Sequence, residues 1–144
     1  MIKNIFKDKI VAVLSGCENS LIRGTVMFMP HLQGTWVTVE ATGLPDGFHG
    51  FHLHSNGVCD KENCFDSAGG HYNSTNQQHP FHAGDFPPIL SNNKIAQMSF
   101  YTDRFTPEEA VGKAVIIHEN PDDFSSDPSG RSGSRIACGV VTKY

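Results

Sequence analysis

Apolar and polar positions alternate along most of this chain with a period of two, the repeat of a strand with one buried face. Lys9-Ile10-Val11-Ala12-Val13-Leu14 reads as a first strand, closed by a turn over residues 16–20. Gly24-Thr25-Val26-Met27-Phe28 and Thr35-Trp36-Val37-Thr38-Val39-Glu40-Ala41 follow, rich in the β-branched residues that suit a pleated surface. Gly43-Leu44-Pro45-Asp46-Gly47 is a turn by composition. Residues 48–54 then read as a strand, as do 95–100, 113–117 and 137–142. Thr106-Pro107-Glu108-Glu109-Ala110 predicts a short helical turn, since proline suits the first helical position. Two long stretches, 56–93 and 119–134, carry no strand pattern, and the second is rich in Gly, Ser, Asp and Pro. Seven or eight short strands predict an all-β fold, an antiparallel Greek-key β-sandwich or flattened eight-stranded barrel with two long functional loops. With no repeat and no boundary in composition, residues 1–144 are read as a single domain.

Histidine changes that picture. Six of the eight histidines fall between Gly47 and Asp85, and a seventh, His118, ends the apolar run Ala114-Val115-Ile116-Ile117. Neutral imidazole is the commonest ligand for zinc and copper, so the clustering predicts a metal site. By strand alternation His52 and His54 project together, while Phe51 and Leu53 point to the core. His49 falls on the core side and is expected as a buried histidine bonded to backbone. His31 has no such context and is expected in a loop.

Charge narrows the partners. The formal net charge of −4, from 11 basic and 15 acidic residues, argues against nucleic acid, which needs clustered Lys and Arg. No apolar stretch approaches the roughly 20 residues of a membrane helix. Met1-Ile2-Lys3-Asn4-Ile5-Phe6-Lys7 lacks a secretory apolar core, so a soluble, cytoplasmic protein is expected. Cys17, Cys59, Cys64 and Cys138 form no Cys-x2-Cys pair, which argues against a thiolate zinc site. In a reducing compartment they are expected as buried or inert thiols.

Five blocks are specific in combination. Gly47-Phe48-His49-Gly50-Phe51-His52-Leu53-His54, Ser67-Ala68-Gly69-Gly70-His71-Tyr72-Asn73, His82-Ala83-Gly84-Asp85, Ile117-His118-Glu119 and Gly133-Ser134-Arg135-Ile136-Ala137-Cys138-Gly139-Val140 resemble copper/zinc superoxide dismutase, in the family's order and across almost the whole chain. The resemblance implies copper bound by His52, His54, His71 and His118. It implies zinc bound by His71, His79, His82 and Asp85, with His71 bridging both metals. The implied activity is dismutation of superoxide, the substrate, to oxygen and hydrogen peroxide, with His71 supplying a proton. Arg135 resembles the arginine that docks the anion beside copper, and a homodimer is an assembly the family allows. Asp122 resembles the carboxylate that accepts ring N–H bonds from His52 and His79, whereas Asp123 reads as a solvated loop acid. Cys138 stands where the family has half of a disulfide. Its partner is Cys59 by the spacing of bacterial members or Cys64 by that of animal and fungal members, with Cys59 slightly favoured and Cys17 left as a free thiol.

The chain departs from the family in two places. His79 and His82 are only three residues apart, closer than the family spaces these zinc ligands. The segment from His118 to Arg135 is short, with Arg131 as its only extra cation, so the family's substrate-guiding charges have no clear counterpart. The competing readings are a copper-chaperone-like domain and a catalytically silent dismutase-like protein. Both commonly lose copper ligands, which this chain retains.

Overall fold

Strand alternation builds most of the molecule, described here from a computed structural model over residues 8–144. The strands are β1 (Ile10–Gly16), β2 (Arg23–His31), β3 (Gly34–Thr42), β4 (Gly47–His49), β5 (Phe51–His54), β6 (Ile89–Asn92), β7 (Ile95–Thr102), β8 (Ala114–His118) and β9 (Arg135–Lys143). They form one antiparallel sheet in the order β4-β6-β7-β3-β2-β1-β9-β8-β5. The two edges of that order, β4 and β5, are consecutive in the chain and separated only by Gly50. Up to His49 the backbone pairs with β6, and from Phe51 it pairs with β8. One path therefore serves both edges and nearly closes the sheet into a barrel. This is why the single strand expected over residues 48–54 is two strands; with β6, the described residues hold nine. Links from β3 to β4 and from β7 to β8 join strands that are not neighbours, as a Greek key requires.

Leu14, Val26, Phe28, Val37, Val39, Phe51, Leu53, Val115, Ile117 and Val141 point inward and form the main core. On the opposite face of β8 and β9, Ala114, Ile116 and Cys138 form a second apolar cluster with Phe65 and Ala68 from the long loop. All five residues of β8 are therefore buried although their side chains alternate. Between β7 and β8 lies α1 (Pro107–Ala110), where Thr106 and Glu109 form a capping box.

Three sequence readings are corrected. The stretch 56–93 contains β6, a four-residue strand held between β4 and β7. His31 is not in a loop; it ends β2 opposite Gly34, with its ring near Trp36 and Tyr101. Nor is Cys17 a free thiol. It pairs with Cys64 in a disulfide, Cys59 pairs with Cys138, and no free cysteine is left. The first seven residues, on which the expectation of no secretory core rests, lie outside the described residues. Among those described, no helix is long and apolar enough to cross a membrane.

Candidate metal centre

The site is assembled on β5. Its outward residues His52 and His54 are 0% and 1% exposed, while Phe51 and Leu53 fill the core behind them. His118, at the end of β8, joins that face after a register irregularity between Ile117 and His118, and its N–H donates to the Gly50 carbonyl at 2.8 Å. The remaining histidines arrive on the long loop, which docks on the free edge of β5. Tyr72 N–H donates to Leu53 O at 2.7 Å and Leu53 N–H to Gly84 O at 2.9 Å. Isolated bridges pair His54 with His71 and His52 with Asp85. A Cβ at residue 84 would collide with the Leu53 carbonyl, so this approach needs glycine.

Four of the rings have one nitrogen tied to the protein outside the centre, which leaves the other to face it. His52 Nε2–H donates to Asp122 Oδ2 at 2.7 Å, and His79 Nε2–H to Asp122 Oδ1 at 2.7 Å. His54 Nδ1–H donates to Gly69 O at 2.8 Å and His118 Nδ1–H to Gly133 O at 3.2 Å. Such outer bonds fix the tautomer and aim of ligating histidines. Ligand atoms of His52, His54, His71 and His118 lie within 4.8 Å of one another, as do those of His71, His79, His82 and Asp85. His71 belongs to both groups.

A metal fits the donors that are left. His52 Nδ1, His71 Nε2 and His79 Nδ1 are buried and have no hydrogen-bond partner. His79 Nδ1 lies 3.2 Å from Asp85 Oδ2 but is misaligned for a bond. His54 Nε2 and His118 Nε2 face each other at 3.3 Å, an arrangement of two lone-pair nitrogens that a shared cation explains. An unpaired buried polar atom costs about 1–3 kcal/mol, so three converging ones without a ligand would be expensive.

Electrostatics keep those nitrogens available. Burial pushes His52 down to about 4, against the opposing pull of Asp122, and pushes His118 down to about 3. Burial also holds His54 well below its ordinary value and lowers His71. At neutral pH these rings are uncharged, the form that binds metal. Burial alone would raise Asp85 and Asp122. Bonds from His71 to Asp85, and from His52, His79 and the Phe124 N–H to Asp122, win and hold both carboxyls below the usual range.

Arg135, paired in backbone with His118, reaches over the loop. Nη1 donates to Phe65 O at 2.8 Å and Asp66 O at 3.3 Å, and Nη2 donates to Gly69 O at 2.6 Å. The same Gly69 carbonyl accepts His54 Nδ1–H, which ties the guanidinium to a candidate ligand. Of the five N–H donors a guanidinium carries, two remain uncommitted. Asn63, Asp66, Gly133 and Arg135 border a small surface depression there.

Of the other expected residues, His49 is buried between the His118 and Pro45 carbonyls, at 2.8 and 2.7 Å. Asp123 is exposed and bonds the Ser125 and Ser126 N–H groups. Two residues carried no signal in the sequence. Asp127 Oδ1 accepts His79 N–H at 2.8 Å across 48 positions, a contact no local spacing reveals. Gly130, with φ +67°, passes so close to the His79–Asp122 bond that any Cβ would strike it; only its left-handed backbone and lack of a side chain allow this.

Fold and site together define a β-barrel metalloprotein with two adjoining clusters that share one histidine. The family model described as copper/zinc superoxide dismutase matches residues 22–141, and the chain belongs to that family, a family of oxidoreductases. Copper-zinc superoxide dismutase 3 of Arabidopsis thaliana is 35% identical over 148 aligned positions, covering 91% of this chain and 88% of that protein. The copper-zinc superoxide dismutase of Deinococcus radiodurans is 34% identical over 143 positions, covering 85% and 79%. Among solved structures, the clock protein EA4 superposes with a TM-score of 0.81 at 31% identity, covering 99% of both chains. A superoxide-dismutase-like protein of Bacillus subtilis, solved as a double mutant, gives a TM-score of 0.81 at 30% identity over 92% of this chain and 96% of that one.

Proposed function

We propose that this chain dismutates superoxide to oxygen and hydrogen peroxide, with His52 Nδ1 and the Nε2 atoms of His54, His71 and His118 holding copper. The Nδ1 atoms of His71, His79 and His82, with Asp85, would hold zinc; three imidazoles and one carboxylate suit a closed tetrahedral site. The observation that carries this reading is that one buried imidazole, His71, belongs to both donor groups. A silent member would lack a copper ligand or the arginine, and all of these residues are present.

A copper held there would supply the one-electron redox chemistry that dismutation needs. Arg135 binds the anion through its two free N–H donors, in charge-assisted hydrogen bonds. His71 would take up and deliver a proton at Nε2 whenever that atom is not ligating, with its Nδ1 edge already set beside Asp85, 2.7 Å away. Asp122 orients one histidine of each metal. The two disulfides support an oxidising compartment, extracellular or periplasmic, in place of the cytoplasm expected from the N-terminus.

The test is metal content and superoxide consumption after loading with copper and zinc. His118→Ala removes a ligand of the copper group alone and should drop activity to background with about one zinc retained. Near-normal activity at full copper occupancy would reject the assignment.

A further inference from the structure

The turn carrying His79 and His82 has only Pro80 and Phe81 between them, closed on itself by Phe81 N–H to Gln78 O at 2.7 Å and by His82 N–H to Asp85 Oδ2 at 2.9 Å. Phe81 is 60% exposed, and Pro80 has no N–H. The Pro80 carbonyl, and the His82 carbonyl that also accepts the Asp85 N–H at 3.0 Å, are reached by a residue from another part of the barrel. Arg104 Nη1 donates to Pro80 O at 3.0 Å and to His82 O at 2.9 Å. On the opposite side Asp127 accepts the His79 N–H.

Arg104 stands on rigid ground. The next residue, Phe105, is 2% exposed and packs with ring centroids 6.2 Å from Phe28 and 5.9 Å from Phe86. The Phe105 carbonyl accepts the buried Thr35 hydroxyl at 2.8 Å. Phe86 in turn follows Asp85 directly. The base of Arg104 and the base of Asp85 are thus each one residue from the same aromatic cluster. A guanidinium on such a base fixes the turn relative to the carboxylate, and charge-assisted bonds are stronger than neutral ones.

We infer that Arg104 is a positioning residue for the zinc site, holding the shortened His79–His82 turn in ligating geometry. It touches no metal and no substrate. The inference rests on the reading of His71, His79, His82 and Asp85 as the zinc ligands, and it adds what lets two histidines so close in sequence serve one ion. Because outer partners of metal ligands are commonly worth 10–100-fold in affinity, Arg104→Ala should weaken Zn2+ binding about tenfold or more. Arg104→Lys should recover part of the loss, since a single ammonium can also donate to two carbonyls.

The experiment is competition between the full chain and a chromogenic chelator for Zn2+, with Co2+ in the same site read by its visible spectrum. Cu(I) affinity without zinc and denaturant unfolding of the metal-free protein are measured alongside. Weakened zinc binding and an altered cobalt spectrum in Arg104→Ala, with partial rescue by lysine and unchanged Cu(I) affinity, support the inference. Equal zinc affinity in Arg104→Ala and wild type overturns it. So does a parallel loss of Cu(I) affinity and metal-free stability, which reports a general loosening of the fold. A wild-type chain that binds no Zn2+ rejects the zinc-site reading itself, and the inference with it.

Discussion

Arg135 shows how a side chain can be held firmly and still offer a binding edge. Three of its bonds go to backbone carbonyls of one loop, and one of these carbonyls also anchors His54. Arg135→Ala should leave both metals bound, since arginine is no ligand, and slow superoxide consumption severalfold or more. Arg135→Glu should slow it further by reversing the local charge. Assays at low ionic strength with matched copper content check this; rates equal to wild type in both variants would remove Arg135 from the chemistry. Asp122 acts at the same scale. Both of its oxygens accept from ring N–H groups, whereas a side-chain amide in its place would offer one acceptor and one donor. Asp122→Asn should therefore lose one of the two bonds and weaken metal affinity about 10–100-fold in chelator competition.

Among the elements, the loop over residues 58–69 does more than connect. It covers the outer face of β8 and β9, supplies the carbonyls for Arg135, and is stapled at both Cys59 and Cys64. The Cys59–Cys138 link spans 79 positions and the Cys17–Cys64 link 47. Chain-entropy arguments assign these about 4.5 and about 4 kcal/mol as upper figures. The two closed loops overlap, so the contributions should not add. Replacing either pair with serine should lower the unfolding free energy by about 2–4 kcal/mol, and replacing both should cost less than the sum. Denaturant titration measures this, and non-reducing peptide mapping should recover only the pairs 17–64 and 59–138.

For the whole molecule, the stability of the metal-free protein should depend on pH through its buried rings. His52 and His118 titrate at about 4 and about 3 in the folded chain against an ordinary 6.5. Between those values the unfolded chain binds more protons, so stability rises with pH and is lost as pH falls from 6.5 towards 4 and 3. Asp122, held below its ordinary 3.8, adds stability present above that value and lost beneath it. Unfolding free energy measured from pH 7 to 4 should thus fall well before the carboxylates titrate, by several kcal/mol as an order of magnitude. A flat profile over that window would contradict the burial of these histidines. Metal should protect, since a metal-bound ring cannot take a proton at the same nitrogen.

The period of two located most strands, because burying one face of a sheet imposes it residue by residue. It also put Phe51 and Leu53 in the core and His49 between backbone carbonyls. The clustering of histidines marked a metal site, with His52 and His54 on one strand face, because few side chains can ligate metal; the full donor sets and Arg135 came from the resemblance of the five ordered blocks to the family. β6 was not legible: four residues after Pro87-Pro88 make a strand only because β4 and β7 flank them. The switch of partners at Gly50, the Cys17–Cys64 link, and the roles of Asp127, Gly130 and Arg104 were equally silent. Each depends on groups far apart in the chain, and their proximity exists only once the barrel closes and the loops dock on β5.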